Sequence, residues 1–189
     1  MIHLMRHGAT TWSRGGRHTG TTDVELSDEG VAQAKALAPA LARIHPAEVL
    51  TSPRSRAVET CRLAGFGPVA RIDGRLAEWD YGAAEGRTTA ELQAEIPGWS
   101  VWTHPLPGGE TLDEVAARAD ALIGELRGLD GEALLFGHAH LLRILAVRWC
   151  GWAPGAAAHL VLDPGSISGL GYERQTPAIT RWNLVPSQG

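Results

Sequence analysis

Two short, mainly apolar runs end abruptly in polar residues, and this feature constrains the fold more than any other in the sequence. Residues 2–5 lead directly into Arg6-His7-Gly8, and residues 133–136 lead into Gly137-His138. A buried strand of a parallel sheet has this pattern, because it is apolar along its length and delivers polar side chains at its carboxyl end. We therefore predict two strands whose carboxyl ends carry His7 and His138.

Amphipathic helices are predicted between the strands. Ser27 is a suitable N-cap residue, and Thr111 and Glu114 have the spacing of a capping box. Ser52-Pro53 predict the start of another helix, with proline at its first position, after a short strand over 49–51. The predicted helices span approximately 27–44, 52–64, 111–128 and 141–149.

This alternation of strands and helices predicts an α/β protein, a three-layer α/β/α sandwich with a mostly parallel central sheet. Residues 159–162, 166–172 and 179–184 are predicted as short edge strands. A single domain over 1–189 suffices for a chain of this length. Ligands of such sheets bind in the crevice beyond the carboxyl ends of the strands, which is where His7 and His138 are expected.

The charge and cysteine content restrict the partners and the compartment. A formal net charge of −4 argues against a nucleic acid or a membrane surface held by a general positive field. Cys61 and Cys150 lack the CxxC spacing, so a disulfide framework or a cysteine-based zinc site is not expected. No stretch approaches the roughly 18 apolar residues of a membrane span. We therefore expect a cytoplasmic protein that is not bound to a membrane.

The order and spacing of several motifs resemble the histidine phosphatase superfamily, in its phosphoglycerate-mutase-like branch, over nearly the whole chain. One tripeptide such as Arg6-His7-Gly8 is weak evidence, whereas the full set in sequence order is strong. The matching stretches are LMRHGATTW at 4–12, RHTG at 17–20, LSDEG at 26–30, TSPRSRA at 51–57, LAEWDYG at 76–82 with EG at 85–86, GGET at 108–111, and FGHAH at 136–140 with Arg143.

The resemblance implies that His7 is the nucleophile of a phosphoryl transfer, and that Arg6, Arg56 and His138 are charged walls of a phosphate pocket. An imidazole attacks phosphorus only when it is neutral, and two nearby arginines favour the neutral form. Arginines also hold phosphate oxygens through charge-assisted hydrogen bonds. No metal and no other cofactor is expected, because the arginines supply the positive charge.

Glu78 matches the family's proton donor, which protonates the leaving alkoxide and then takes a proton from the attacking water. Without the resemblance, a surface glutamate beside the core aromatics Trp79 and Tyr81 would be an equally good interpretation. The two interpretations predict different burial of the carboxyl group.

The substrate-binding residues implied by the resemblance are Ser13, Thr19, Gly20 and Ala139. Ser13 departs from the asparagine that is typical of the mutases, so its contact with phosphate could be direct, through water or absent. Thr19 would contribute its hydroxyl group and Gly20 its backbone N–H, although an ordinary turn is the alternative for both.

His138 and His140 form a His-x-His pair that could indicate a metal site. We discount a metal because no further ligand lies at a suitable spacing, and we expect His140 to orient its neighbours or to line the mouth of the pocket. Trp99 and Trp102 are candidates for the region that reads the substrate.

The same chemistry serves a phosphatase, which admits water, and a mutase, which excludes it. Only about 60 positions separate Glu78 from His138, too few for the long basic insertion of the mutases, so hydrolysis is expected. The sequence is most similar to the acid-phosphatase and sedoheptulose-bisphosphatase-like members of the family. A small phosphorylated metabolite is thus the expected substrate.

Several alternatives stay open at this point. A phosphoglycerate mutase and an alpha-ribazole-type phosphatase are the alternatives among enzymes. A catalytically silent module that binds a phosphorylated partner is disfavoured, because both His7 and Glu78 are present. A nucleic-acid binder is disfavoured by the acidic balance of the chain. Family members are often dimers, which makes a homodimer a further expectation.

Overall fold

The computed structural model describes residues 1–187. Its strands are β1 (Ile2–Arg6), β2 (Glu48–Thr51), β3 (Arg71–Ile72), β4 (Ala133–Gly137), β5 (Ile167–Glu173) and β6 (Thr176–Leu184). Its α-helices are α1 (Thr11–Arg14), α2 (Asp28–Leu41), α3 (Ser55–Leu63), α4 (Thr89–Glu95), α5 (Leu112–Arg127) and α6 (Ala139–Trp149). Short 3₁₀ helices span Gly67–Val69, Gly74–Leu76, Gly82–Ala84 and Pro154–His159.

The strands form one six-stranded sheet in the order β3-β2-β4-β1-β5-β6. The first four strands of this order are parallel to one another, whereas β5 and β6 run antiparallel at one edge. The predicted α/β architecture with a mostly parallel sheet is therefore confirmed. In the register of β1 and β4, Arg6 lies opposite Gly137, so His7 and His138 follow adjacent strand ends.

Apolar side chains cover both faces of the sheet. Leu4 of β1 belongs to the cluster with α5 and α6, whereas its neighbour Met5 packs with α2 and α3 on the opposite face. This alternation is the two-residue period of a strand that is buried on both sides. The predicted three layers are present, and the polar ends of the central strands are left free at one edge of the sheet.

Capping signals in the sequence correctly predicted where two helices begin. The Ser27 hydroxyl accepts a hydrogen bond from the N–H of Gly30 at the start of α2. Thr111 and Glu114 form the predicted capping box of α5, which ends before Gly128. Both caps satisfy N–H groups that have no partner within the helix, which explains why the sequence signal was sufficient.

The predictions for Ser52 and for residues 159–162 were wrong. Helix α3 begins at Ser55 with Arg54 at the N-cap position, and the Ser52 hydroxyl instead bonds His138 Nε2 at 2.7 Å. Residues 154–159 form a 3₁₀ helix, and the following segment is not a strand, because Leu162 packs into the core and its carbonyl accepts a hydrogen bond from Arg6. Helix α6 begins at Ala139, two residues earlier than predicted.

Two glycines allow α2 to contact the loop that carries His7. A Cβ atom on Gly8 would lie 2.2 Å from the carbonyl oxygen of Gly30, and one on Gly30 would lie 2.0 Å from that of Ala9. Neither backbone could approach so closely with a side chain present. No helix within residues 1–187 has both the length and the apolar content needed to cross a membrane.

Candidate active site

A cavity of about 540 Å³ opens at the carboxyl edge of the sheet. Many of the predicted site residues lie in its wall. Arg56 and His138 are buried next to the cavity, and Gly20 lies outside its lining. The predicted site residues that line it are Arg6, His7, Ser13, Thr19, Glu78, Ala139 and His140, together with Trp102.

His7 is buried, and its hydrogen bond fixes its tautomer. Its Nδ1 lies 2.7 Å from the carbonyl oxygen of Gly8, and because a carbonyl only accepts hydrogen bonds, Nδ1 carries the proton. Burial, with the neighbouring charges of Arg6 and Arg56, holds the pKa of His7 well below its ordinary value of 6.5. The ring is therefore neutral, with the lone pair of Nε2 available as a nucleophile.

Arg6 and Arg56 lie beside His7 and have no close carboxylate partner. Arg6 donates to the carbonyl of Leu162, and Arg56 donates to the carbonyl of Thr22 at 3.0 Å and of Thr19 at 2.9 Å. The only ion pair of Arg56 among the described residues is with Asp23, at 4.0 Å. The buried Nε atoms of both arginines lack a partner within residues 1–187, so they can donate to an incoming oxyanion.

His138 is fully buried against the nucleophile. Its ring centroid lies 5.1 Å from that of His7, and its Nε2 is bonded to the Ser52 hydroxyl. Burial and the positive charge of Arg56 hold its pKa well below 6.5, so the ring is neutral, and its role as a wall of the phosphate pocket stays a prediction. Its buried Nδ1 has no hydrogen-bond partner among the described residues.

Glu78 is buried, with 7% of its surface exposed, so it is not a surface glutamate. Its Oε1 accepts the N–H groups of Trp79 and Leu141, and its Oε2 accepts that of His140, each at 3.0 Å. Two of these donors belong to the first turn of α6. The carboxyl group is therefore fixed in the cavity wall.

The predicted substrate-binding residues differ in what they can offer. The Ser13 hydroxyl already donates to the carbonyl of Thr10 and accepts its N–H, and the Thr19 hydroxyl donates to the carbonyl of Arg17. The N–H of Gly20 donates to the Glu85 carboxylate at 3.0 Å, and its contact with substrate stays a prediction. Ala139 lines the cavity as the first residue of α6.

His140 is held by Tyr81 in a single tautomer. The Tyr81 hydroxyl lies 2.6 Å from Nδ1 of His140. Burial raises the pKa of Tyr81 well above 10.0 and lowers that of His140 well below 6.5, so the hydroxyl donates and Nδ1 accepts. The expectation that His140 orients neighbours and lines the pocket fits this arrangement. Within residues 1–187, no group of three His, Cys, Asp or Glu side chains is arranged as metal ligands would be.

Sequence reasoning missed two parts of the cavity wall. His18 is buried with Nδ1 bonded to the carbonyl of Arg87, and its ring lies edge-on to Tyr81 and Trp99. It stands inside the matched motif at 17–20, so a signal for it was available. Ala158 and residues 160–163 also contribute to the wall, but the assignment of 159–162 to an edge strand concealed this role.

An α/β sheet that presents a neutral, buried histidine and two arginines without a close carboxylate partner at its carboxyl edge defines a class of protein that binds and transfers a phosphoryl group. The particular family follows from comparison with known proteins. The model of the histidine phosphatase superfamily (branch 1) matches residues 2–185, and the chain belongs to this family.

Named relatives and a solved structure agree with this assignment. An acid phosphatase of Mycobacterium tuberculosis is 39% identical, with 90% of this chain and 85% of that protein covered. Sedoheptulose 1,7-bisphosphatase of Saccharomyces cerevisiae is 31% identical over 78% of this chain and 66% of the yeast protein. A solved Mycobacterium tuberculosis structure superposes with a TM-score of 0.93 at 36% identity, covering 98% of both chains. The family predicted from the motifs is therefore confirmed.

Proposed function

We propose that this protein is a metal-independent phosphatase that hydrolyses small phosphomonoesters through a phosphohistidine intermediate on His7. One observation carries the proposal: the His7 ring is neutral, its Nδ1 proton is held by the Gly8 carbonyl, and Nε2 is free beside Arg6 and Arg56. This arrangement combines an activated nucleophile with preorganised positive charge for the transferring phosphoryl group.

The reaction takes two balanced steps. In the first, Nε2 of His7 forms a bond to phosphorus, the ester P–O bond breaks, and protonated Glu78 gives its proton to the leaving oxygen. In the second, Glu78 takes a proton from water, the water oxygen bonds to phosphorus, and the P–N bond breaks to release orthophosphate. Arg6 and Arg56 stabilise the charge on the phosphoryl oxygens in both steps.

The substrate class follows from the relatives and the cavity. The acid phosphatase and sedoheptulose bisphosphatase relatives support sugar phosphates or a broad range of small phosphorylated metabolites. A volume of about 540 Å³ holds a small metabolite and lies within the usual range of ligand pockets.

The compartment and assembly are also proposals. Both cysteines are free, and this supports a cytoplasmic, reducing location. The acidic net charge argues against nucleic acid as a partner. The homodimer stays a prediction.

The proposal is tested by phosphate release from p-nitrophenyl phosphate and a panel of sugar phosphates, with EDTA present. His7→Ala should lower kcat by roughly 10³-fold or more, because the substitution removes the proposed nucleophile. His45→Ala, an exposed histidine outside the cavity lining, is the matched control and should retain wild-type turnover. Phosphate release that persists in His7→Ala, or activity that is abolished by EDTA, would contradict the proposal. Interconversion of phosphoglycerate isomers without phosphate release would instead indicate a mutase.

A further inference from the structure

Arg143 lines the cavity without a carboxylate partner. It lies on α6, is half-buried, and no carboxylate oxygen within residues 1–187 lies within 4.0 Å of its guanidinium group. Removing a guanidinium group from water is costly unless an opposite charge compensates for it. The family motif includes this arginine, but the proposed hydrolysis does not use it.

The guanidinium group of Arg143 is held in a fixed position. Its Nε donates to the carbonyl of Ala157 at 3.0 Å and its Nη2 to that of Ala158 at 3.1 Å. Its Cζ lies 4.7 Å from the centroid of the Trp102 ring, in a cation–π contact. These contacts leave Nη1 without a partner among the described residues, so a preorganised donor remains available.

The other arginines in the cavity wall indicate which role Arg143 has. Arg17 is neutralised by Glu91 at 3.5 Å, whereas Arg6 resembles Arg143 in being anchored by a backbone carbonyl and in lacking a close carboxylate within residues 1–187. Burial lowers the pKa of both Arg6 and Arg143. Arg6 is assigned to the phosphate that reacts, so Arg143 is a second cation of the same kind in the same cavity.

The carboxylates that line the cavity already have hydrogen-bond partners. Glu78 accepts three backbone N–H groups, and Oδ2 of Asp163 accepts the amide of Asn183 at 2.8 Å. The ring of Trp102 covers one face of the Arg143 guanidinium group, and a less hydrated cation interacts more strongly with an anion.

We propose that Arg143 binds a second anionic group of the substrate, so that the preferred substrates carry a carboxylate or a second phosphate in addition to the phosphate that reacts. This inference rests on the proposed phosphatase function and specifies its substrate class. Arg143 is then a specificity-determining residue that acts on substrate binding, not on the bond that breaks.

The test compares kcat and KM within two matched pairs of substrates. 3-Phosphoglycerate and glycerol 3-phosphate differ only by a carboxylate in place of a hydroxymethyl group, and fructose 1,6-bisphosphate and fructose 6-phosphate differ by one phosphate. The wild type should favour the member with the second anion, mainly through KM. Arg143→Met should reduce that preference by roughly 10- to 100-fold, which is the usual range for a charge-assisted hydrogen bond, and Arg143→Lys should retain part of it.

Arg148→Met is the control, because Arg148 lies on the same helix, pairs with Asp120 at 2.7 Å and is not part of the cavity lining. It should leave the preference unchanged. The pair that responds to Arg143→Met identifies the second group as carboxylate or phosphate.

Two results would overturn the inference: a wild type with no preference in either pair, or an Arg143→Met variant that loses both members of each pair equally. His7-dependent hydrolysis of p-nitrophenyl phosphate separates this failure from failure of the proposed function. If that hydrolysis persists, only the second anion site is refuted, and if the wild type hydrolyses no ester, both proposals fail.

Discussion

Glu78 connects the proposed chemistry to the start of α6. Its two oxygens accept three backbone N–H groups, and its carboxyl group lines the cavity that contains His7. A proton donor is needed most when the leaving oxygen is strongly basic, and least when it departs readily by itself. The identity of the leaving group can therefore separate the catalytic role of Glu78 from its structural one.

Glu78→Gln should lower kcat/KM for an alkyl phosphate by roughly 10²- to 10³-fold, and for p-nitrophenyl phosphate by much less, because only the alkyl leaving group requires a proton. The glutamine amide can accept two of the three N–H groups but must face the third with its own NH₂ group. Thermal unfolding of the variant measures that structural cost. Equal losses on both esters would contradict the acid role.

The sequence predicted the roles of some site residues but not the protonation state or hydrogen-bond partners of others. The roles implied for His7, Arg6 and Glu78 came from the resemblance, and the structure brings these three to one cavity. The neutral state of His138 could not be predicted, because it depends on complete burial and on Arg56, which is distant in sequence. The hydrogen bond between the N–H of Gly20 and Glu85 could not be predicted for a similar reason, because the two residues are 65 positions apart.

At the level of elements, the contact between α2 and the loop after β1 fixes the position of the nucleophile. Gly30→Ala should lower both stability and kcat, although residue 30 is not part of the cavity lining, because its Cβ would overlap the carbonyl of Ala9 and displace the loop next to His7. Urea unfolding and p-nitrophenyl phosphate turnover measure the two effects.

Gly124→Ala in α5 is the matched control, because its Cβ would meet no atom within 4 Å. This substitution should raise stability by about 0.5–1 kcal/mol, through the better helix propensity of alanine, with kcat unchanged. If Gly30→Ala behaved like Gly124→Ala, the close approach of α2 would not be needed to hold the site.

Elements were predictable from the sequence where their signals are local. The caps of α2 and α5 depend on residues three positions apart, so the sequence sufficed for Ser27 and Thr111. Ser52 appeared to be a cap as well, but its hydroxyl bonds His138, 86 positions along the chain. The apolar residues at 160 and 162 appeared to form a strand because burial against the core produces the same alternation as a sheet.

At the level of the whole molecule, buried histidines link stability to pH. Burial lowers the pKa values of His7, His138 and His140 well below 6.5, whereas in the unfolded chain they titrate near that value. Below about pH 6.5 the unfolded state therefore binds more protons than the folded state, and stability falls as pH falls. Each such histidine contributes up to about 1.4 kcal/mol per pH unit.

Urea unfolding between pH 5 and 8 in phosphate-free buffer should accordingly show stability declining below about pH 6.5, ahead of the range in which carboxylates titrate. In His7→Gln, the free energy of unfolding should fall less steeply with decreasing pH, because the unfolded variant binds about one proton fewer than the unfolded wild type. A free energy of unfolding that stays constant from pH 7.5 to pH 5 would show that the three histidines are not held neutral.

The proposed mechanism is tested most directly by trapping the phosphoenzyme. Trypsin cleaves after Arg6 and Arg14, so His7 lies in a peptide that spans 7–14. We predict that rapid alkaline quenching during turnover of p-nitrophenyl phosphate, in the wild type and in Glu78→Gln, yields this peptide with one acid-labile phosphoryl group on His7. A phosphoryl group on any other residue, or none on this peptide in either protein while the wild type releases p-nitrophenol, would contradict the account.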